Sequence, residues 1–106
     1  MDEIIHFFVK GDSMIPTFKN GEIIDMIKFN NNIDVSIDDI VVFDHPFKKD
    51  CRIIKRVKKI TKDNKIFVQG DNKSYNHTSD SHNFGHIKIE NLIAIRKKKN
   101  DFCIRS

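Results

Sequence analysis

Short runs of β-branched and aromatic residues, separated by polar turns, recur along the chain. This spacing constrains the fold strongly, because strands of that length need antiparallel neighbours joined by short turns. We therefore predict a mostly β fold, a small antiparallel β-sandwich or open barrel, with a hairpin through Thr61–Asn64. Only Ser13–Phe18 has helical character, and Pro16 limits it. The predicted strands are Ile4–Val9, Glu22–Ile27, Ile40–His45, Cys51–Ile60, Lys65–Gln69 and Ile87–Arg96.

No repeat, low-complexity linker or Pro/Gly-rich boundary divides the 106 residues, so we expect a single domain over residues 1–106. The net charge of +4 permits weak attraction to anions, but charge alone establishes no nucleic-acid or lipid partner. Lysines and arginines gather in two groups that we interpret as solvated strand ends. These groups are Lys58, Lys59 and Lys62, and then Arg96, Lys97, Lys98 and Lys99.

The sequence lacks the features of a membrane or secreted protein. No apolar run approaches the roughly 20 residues that cross a bilayer, and the first residues lack a basic segment followed by a long apolar one. Cys51 and Cys103 lie far apart and form no CxxC pair, which favours free thiols in a reducing compartment. We predict a cytoplasmic protein without a transmembrane segment.

One lysine breaks the pattern of the fourth strand. Side chains alternate between the two faces of a strand, so Lys55 shares a face with Cys51, Ile53 and Val57. Burying an ammonium group is costly. Either the long stem of Lys55 reaches the rim or a buried carboxylate, or the amine is desolvated so that it is neutral near physiological pH and accepts a proton.

A second feature is the Gly11–Thr17 segment, Gly-Asp-Ser-Met-Ile-Pro-Thr, which follows a predicted strand. A serine at such a corner can expose its hydroxyl, while backbone N–H groups of Gly11, Asp12 and Ser13 point at a developing oxyanion. A third feature is Gly70-Asp71-Asn72, followed by a loop rich in hydroxyls and carboxylates that could orient a lysine amine. A serine and a neutral lysine form a known variant of nucleophile and base.

In this order, the segments resemble the type I signal peptidase family. The Gly11–Thr17 segment is similar to its nucleophile box, Ile54-Lys55-Arg56-Val57 to its lysine box, and Gly70-Asp71-Asn72 with Ser79-Asp80-Ser81 to its last box. The resemblance implies a mostly β serine peptidase that removes an N-terminal leader or signal sequence from a protein or peptide substrate. It places the nucleophile at Ser13, the general base at Lys55, and supporting groups at Thr78 and Asp80.

Unlike many members of that family, this protein is expected to have no N-terminal anchor, and the 15 positions between Lys55 and Gly70 leave no room for a large second β-domain. In this it resembles the small soluble branch that includes the nickel-type superoxide dismutase maturation peptidases. The nucleophile box also resembles the peptidase domains of LexA-like repressors. The alternatives to leader removal are therefore a LexA-like self-cleaving regulator fragment and a non-catalytic interaction module of the same fold.

Other residues allow weaker predictions. Phe8, Met14, Ile15 and Phe43 are candidates for substrate-binding subsite walls, although they are equally ordinary core residues. His77, His82 and His86 lie in one region, but a metal site needs a fuller set of ligands. We expect no metal and no cofactor. The chain has no helix-turn-helix or aromatic-lined basic face, so no nucleic-acid partner is expected.

Overall fold

The computed structural model describes residues 3–74 and 80–98. The described residues form a mostly β structure, as predicted from the alternating runs. The elements are β1 (Ile4–Phe8), β2 (Ile23–Lys28), β3 (Ile40–Asp44), β4 (Arg52–Ile60), β5 (Lys65–Gln69), α1 (Ser81–Phe84), β6 (Ile87–Lys88), a 3₁₀ turn (Ile89–Asn91) and β7 (Leu92–Arg96).

The strands of the described residues form one seven-stranded antiparallel sheet in the order β1-β2-β7-β3-β4-β5-β6. The predicted hairpin joins β4 to β5, and Thr61 N–H donates to the Lys65 carbonyl at 2.8 Å. Asn64 adopts the left-handed conformation that such a turn requires, with φ of 61°.

Two apolar clusters cover opposite faces of this sheet, because neighbouring strand residues point to opposite sides. Val41 and Phe43 of β3 belong to the larger cluster, which also contains Val57 and Phe84. Ile40 and Val42 belong to the second cluster, together with Met14 and Phe18 from the segment after β1.

One predicted strand is divided in the structure, and one short helix was not predicted. The predicted strand Ile87–Arg96 is interrupted by the 3₁₀ turn at Ile89–Asn91, so its halves pair with different neighbours. The short helix α1 was not predicted. Asp80 caps it by accepting from His82 N–H at 3.0 Å, and Ser81 Oγ fixes it to β5 by accepting from Val68 N–H at 2.9 Å.

Two of the strand edges that lack a partner among the described residues are important for the site. β1 pairs only with β2, and β5 pairs with β4 only from Arg56 onwards, so residues 52–55 of β4 lack a neighbour on that side. Although β2, β7 and β3 separate β1 from β4, both strands line one cavity, so the sheet curves. No helix in the described ranges is long and apolar enough to cross a membrane.

Candidate active site

A cavity of about 510 Å³ opens between the ends of β1 and β4. It contains both residues that the sequence pairs as nucleophile and base, Ser13 and Lys55, although 42 positions separate them. The other lining residues are Phe7, Phe8, Val9, Lys10, Val42, Asp50, Cys51, Arg52, Ile53 and Ile54.

Lys55 is buried on the face that strand alternation predicts. Only 4% of its surface is exposed, and its neighbours on that face, Ile53 and Val57, belong to the apolar core. Burial lowers the pKa of Lys55 below its ordinary value of 10.5, and the negative charges of Asp80 and Asp71 oppose that shift only in part. The neutral amine, which can accept a proton, is therefore more populated here than in an exposed lysine.

The Ser13 turn is anchored from both sides. The side chains that follow the serine, Met14 and Phe18, are buried in the second apolar cluster. Before it, Gly11 has φ of 83° and donates its N–H to Asn20 Oδ1 at 2.8 Å. In the described part of the chain the Ser13 N–H has no hydrogen-bond acceptor, whereas the Ser13 carbonyl accepts from Asn72 N–H at 2.9 Å. The N–H is thus available to an oxygen in the cavity.

Gly70 brings the serine turn and the lysine together. A Cβ atom at this position would lie 2.6 Å from the Ser13 carbonyl oxygen and 3.4 Å from Lys55 Nζ. Only a residue without a side chain allows the backbone of Ser13 to approach so closely. Between these two described side chains the structure has no hydrogen bond from Ser13 Oγ to Lys55 Nζ, and such bonds often tighten only when substrate is bound.

A second contact between the serine turn and the Gly70 loop was missed by the sequence analysis. Arg56 donates two hydrogen bonds to the Asp71 carboxylate, at 2.8 and 2.7 Å, and a third to the Asp38 carbonyl at 2.7 Å. Thr17, four residues after Ser13, donates to the same carboxylate. The loop was predicted to orient the lysine by hydrogen bonds. For Asp71 this role is corrected, because its carboxylate oxygens accept from Arg56 and Thr17 instead.

The hydrogen bonds to Asp71 favour its charged form. Burial alone would raise the pKa of Asp71, but hydrogen bonds from Arg56 and Thr17, together with the Arg56 charge, hold it below its ordinary value. The same hydrogen bond raises the pKa of Arg56. The register of the β4–β5 hairpin accounts for the Arg56–Asp71 pair. Arg56 lies opposite Gln69, so Asp71, two residues after Gln69, is a diagonal neighbour of Arg56 on the same face.

Of the two predicted supporting residues, Asp80 is described and Thr78 lies outside the described residues. Asp80 is 2% exposed and accepts from His82 N–H and from the His82 ring, at 3.0 and 3.1 Å. Its charge acts on Lys55, since it raises the pKa of that amine. The structure therefore brings Asp80 close to the predicted base.

The predicted subsite residues divide into two groups. Phe8 lines the cavity and is 60% exposed, whereas half-buried Ile15 does not line it. Met14 and Phe43 are 1% and 0% exposed and belong to the two core clusters. Their assigned role changes from substrate binding to packing, because a side chain without exposed surface offers none to a ligand.

The predicted histidine region also lies partly beyond the description. His77 is outside the described residues, while the rings of His82 and His86 pack edge-on to Phe67, with centroids 5.0 and 5.6 Å away. Within residues 3–74 and 80–98, no group of three or more His, Cys, Asp or Glu side chains could hold a metal ion.

Comparison with known proteins agrees with this geometry. The family model described as Peptidase S24-like matches residues 2–90, which include the Ser13 turn, Lys55 and the Gly70 loop. No curated protein matches the chain. The match supports a serine-peptidase type of fold and a protein substrate, and it does not single out the signal peptidase branch that the motifs resemble. The chain belongs to the Peptidase S24-like family.

Proposed function

We propose that the chain is a serine endopeptidase in which Ser13 is the nucleophile and Lys55 the general base, and that it removes an N-terminal leader from a protein substrate. One observation carries the proposal. A buried lysine with a lowered pKa lies in the same cavity as the Ser13 turn, and the space beside the Gly70 Cα borders both its amine and the Ser13 carbonyl oxygen. A purely structural lysine would have no need of that proximity.

The chemistry requires the amine to be neutral before reaction. Neutral Lys55 would take the Ser13 hydroxyl proton as Ser13 Oγ attacks the scissile carbonyl, giving an ammonium and a tetrahedral oxyanion. The unengaged Ser13 N–H would donate to that oxyanion. The Lys55 ammonium would give its proton to the leaving amine as the C–N bond breaks. A water molecule, deprotonated by Lys55, would then attack the acyl-serine ester, and Lys55 would return that proton to Ser13 Oγ as the ester bond breaks.

The cavity suits an extended peptide. It lies between strand edges that have no partner among the described residues, those of β1 and of residues 52–55 in β4. These two strands run in the same direction, because four antiparallel steps separate them. A peptide could therefore form backbone hydrogen bonds with both edges, and Phe8 offers it an apolar wall. A leader segment, unfolded before cleavage, fits this mode of binding.

The test compares three variants with wild type on a peptide mixture of random sequence, with cleavage followed by mass spectrometry. Ser13→Ala, Lys55→Met and Lys55→Arg should each be folded and inactive. The first removes the nucleophile, the second removes the base, and the third replaces the base by a guanidinium group that does not lose its proton near neutrality. Wild-type cleavage should accelerate as pH rises and Lys55 loses its proton. A Lys55→Arg protein with near-normal turnover and an unchanged pH profile would remove Lys55 from the mechanism.

Matched controls separate the proposed site from general effects of substitution. Ser74→Ala changes an exposed serine whose side chain makes no hydrogen bond in the described part of the chain. Lys59→Met removes an exposed lysine from the same strand as Lys55. Both variants should cleave at the wild-type rate, and a loss equal to that of Ser13→Ala would contradict the assignment.

The family match favours one alternative, cleavage of a segment of the same polypeptide as in a self-cleaving regulator. The two candidates differ in kinetics. Self-cleavage shortens the purified chain at a rate independent of protein concentration, whereas leader removal leaves the chain intact and consumes added substrate. Intact-mass measurement over a hundredfold range of concentration distinguishes them, with Ser13→Ala as the uncleaved reference. An interaction module without catalytic activity would do neither.

A further inference from the structure

His45 is a buried histidine at the end of β3 that the proposed chemistry does not use. It is 7% exposed, and its ring packs edge-on to Phe84 of α1 with centroids 5.1 Å apart. Its Nδ1 atom accepts two backbone hydrogen bonds, from Phe47 N–H at 3.0 Å and from Lys48 N–H at 3.1 Å. An atom that accepts two N–H groups carries no proton, so the ring is neutral with its proton on Nε2.

The second ring nitrogen of His45 has no hydrogen-bond partner among the described residues. This Nε2 atom is buried. A buried donor without a partner already costs stability, and a positive charge on the same ring would cost more. Burial, and then the nearby Lys48 charge, lower the pKa of His45 below 6.5. Of the elements around His45, α1 packs on the ring through Phe84 and carries one titratable residue, His82, while the neighbouring strand ends carry Asp44, Asp50 and Arg52.

The turn that His45 holds leads into the proposed substrate cleft. Residues 46–50 connect β3 to β4, and His45 N–H donates to the Cys51 carbonyl at 2.7 Å. The last residue of this turn, Asp50, and the two residues after it, Cys51 and Arg52, line the end of the cavity remote from Lys55 along β4. The strand residues 52–55 extend over roughly 13 Å, the length of about four substrate residues.

We propose that neutral His45 is a positioning residue for the remote end of the substrate cleft, which it aligns through the 46–50 turn, and that its protonation releases this end. The inference rests on the proposed peptidase function. Protonation would put a hydrogen on Nδ1, where two N–H groups already point, so the turn would lose both hydrogen bonds. Substrates long enough to reach Asp50–Arg52 would then bind more weakly, while short ones would not be affected.

Because the pKa of His45 is lowered in the folded protein, the neutral form is favoured by folding. Its contribution to stability is complete above about pH 6.5, the ordinary histidine value, and is lost as pH falls below it. Deprotonation of Lys55 changes cleavage of long and short peptides alike, so it is separable from the His45 effect.

The experiment measures KM and kcat at pH 8 and at the lowest pH at which the wild type stays folded, for two peptides, one with six and one with two residues on the β4 side of the scissile bond. In wild type, KM of the long peptide should rise as His45 gains its proton, by about tenfold at full protonation, the equivalent of one or two lost hydrogen bonds. KM of the short peptide should stay within twofold. Equal KM changes for both peptides would overturn the proposal.

Two substitutions test the acceptor atom. Asn places an acceptor oxygen near the position of Nδ1 and accepts from backbone N–H groups two or three residues later. His45→Asn should therefore restore long-peptide binding and abolish its pH dependence. His45→Phe keeps the ring but no acceptor, so KM of the long peptide should be about tenfold higher at both pH values. A His45→Phe protein with wild-type KM for the long peptide would refute the positioning role.

A readout without turnover keeps this inference separate from the peptidase proposal. The protection factors of the Phe47 and Lys48 amides in the Ser13→Ala protein, which are exchange rates corrected for the intrinsic pH dependence, should fall between pH 8 and the lower pH, and His45→Asn should prevent that fall. Lys49→Ala, which changes an exposed side chain of the same turn and keeps both N–H groups, is the matched control. Protection factors that do not change with pH would refute the His45 inference even if cleavage is confirmed, and inactive wild type would refute only the peptidase.

Discussion

Replacing Gly70 by alanine should damage the candidate site through one defined contact. The added Cβ would lie 2.6 Å from the Ser13 carbonyl oxygen, closer than real contacts of this kind, so the Ser13 backbone or the Gly70 loop must move. Gly70 is not among the described glycines with positive φ, which are Gly11, Gly21 and Gly85. The effect is therefore one of space and not of backbone conformation.

The geometry sets the expected size of the effect. Forcing a methyl group into a packed position costs about 1–3 kcal/mol of stability. Moving a nucleophile by a large fraction of an ångström costs on the order of tenfold to a hundredfold in rate. We expect Gly70→Ala to remain folded, to unfold at a lower temperature, and to lose kcat/KM by that factor with little change in the pH at which the rate rises.

Gly21→Ala is the matched control for this prediction. Gly21 has φ of 92° and nothing within 4 Å of an added Cβ, so alanine there strains the backbone without a clash. It should cost about 1–2 kcal/mol of stability but no activity. Thermal unfolding and peptide cleavage of both variants form the assay. If Gly70→Ala cleaved as fast as Gly21→Ala, the proposed contact between Ser13 and the Gly70 loop would not control the site.

The remaining predictions concern the charges around Lys55. Lys55→Met should be at least as stable as wild type at pH 7. Because the pKa of Lys55 is lowered in the folded protein, folding favours the neutral amine, so the difference in free energy of unfolding between the variant and wild type should shrink as pH rises towards about 10.4. Urea unfolding at several pH values measures this difference. Arg56→Gln leaves the Asp71 carboxylate without its cation, so the Asp71 charge should raise the pKa of Lys55 further and the cleavage rate should rise at higher pH than in wild type. An unshifted pH profile would contradict the electrostatic effect of Asp71 on Lys55. Asp80→Asn and Thr78→Val should each lower activity about tenfold to a hundredfold, equivalent to roughly 1–3 kcal/mol, and full activity in both would contradict the supporting roles that the resemblance implies for them.

The sequence predicted the strands because each buries one face, and alternation is visible without a structure. It also predicted the inward orientation of Lys55, since Ile53 and Val57 define that face. The interruption of the last predicted strand had a weaker sign. Glu90 and Asn91 are adjacent polar residues, so a continuous strand would point one of them to each face, but one such break in the alternation is not enough to predict a turn.

The features that sequence reasoning missed depend on contacts between distant segments. Helix α1 is only four residues long, too short for a 3.6-residue periodicity to appear, and its stability comes from Asp80 and from the Ser81 contact with β5. Met14 and Phe43 look like any apolar residues beside a motif. Whether such a side chain lines a cleft or fills the core depends on how the sheet curves, which local patterns do not specify.

In the proposed mechanism Lys55 has to satisfy two opposite requirements. It must be neutral before reaction, which burial favours, and it must hold a proton briefly while the tetrahedral intermediate exists, which nearby negative charge favours. A carboxylate bound directly to the amine would meet only the second requirement, because it would keep the lysine charged. Asp71 instead binds Arg56 and Thr17, and Asp80 accepts from His82, so both act on Lys55 through their charges. Arg56 thereby has two effects: it holds the Gly70 loop against the serine turn through Asp71, and its positive charge offsets part of the field of Asp71 at Lys55.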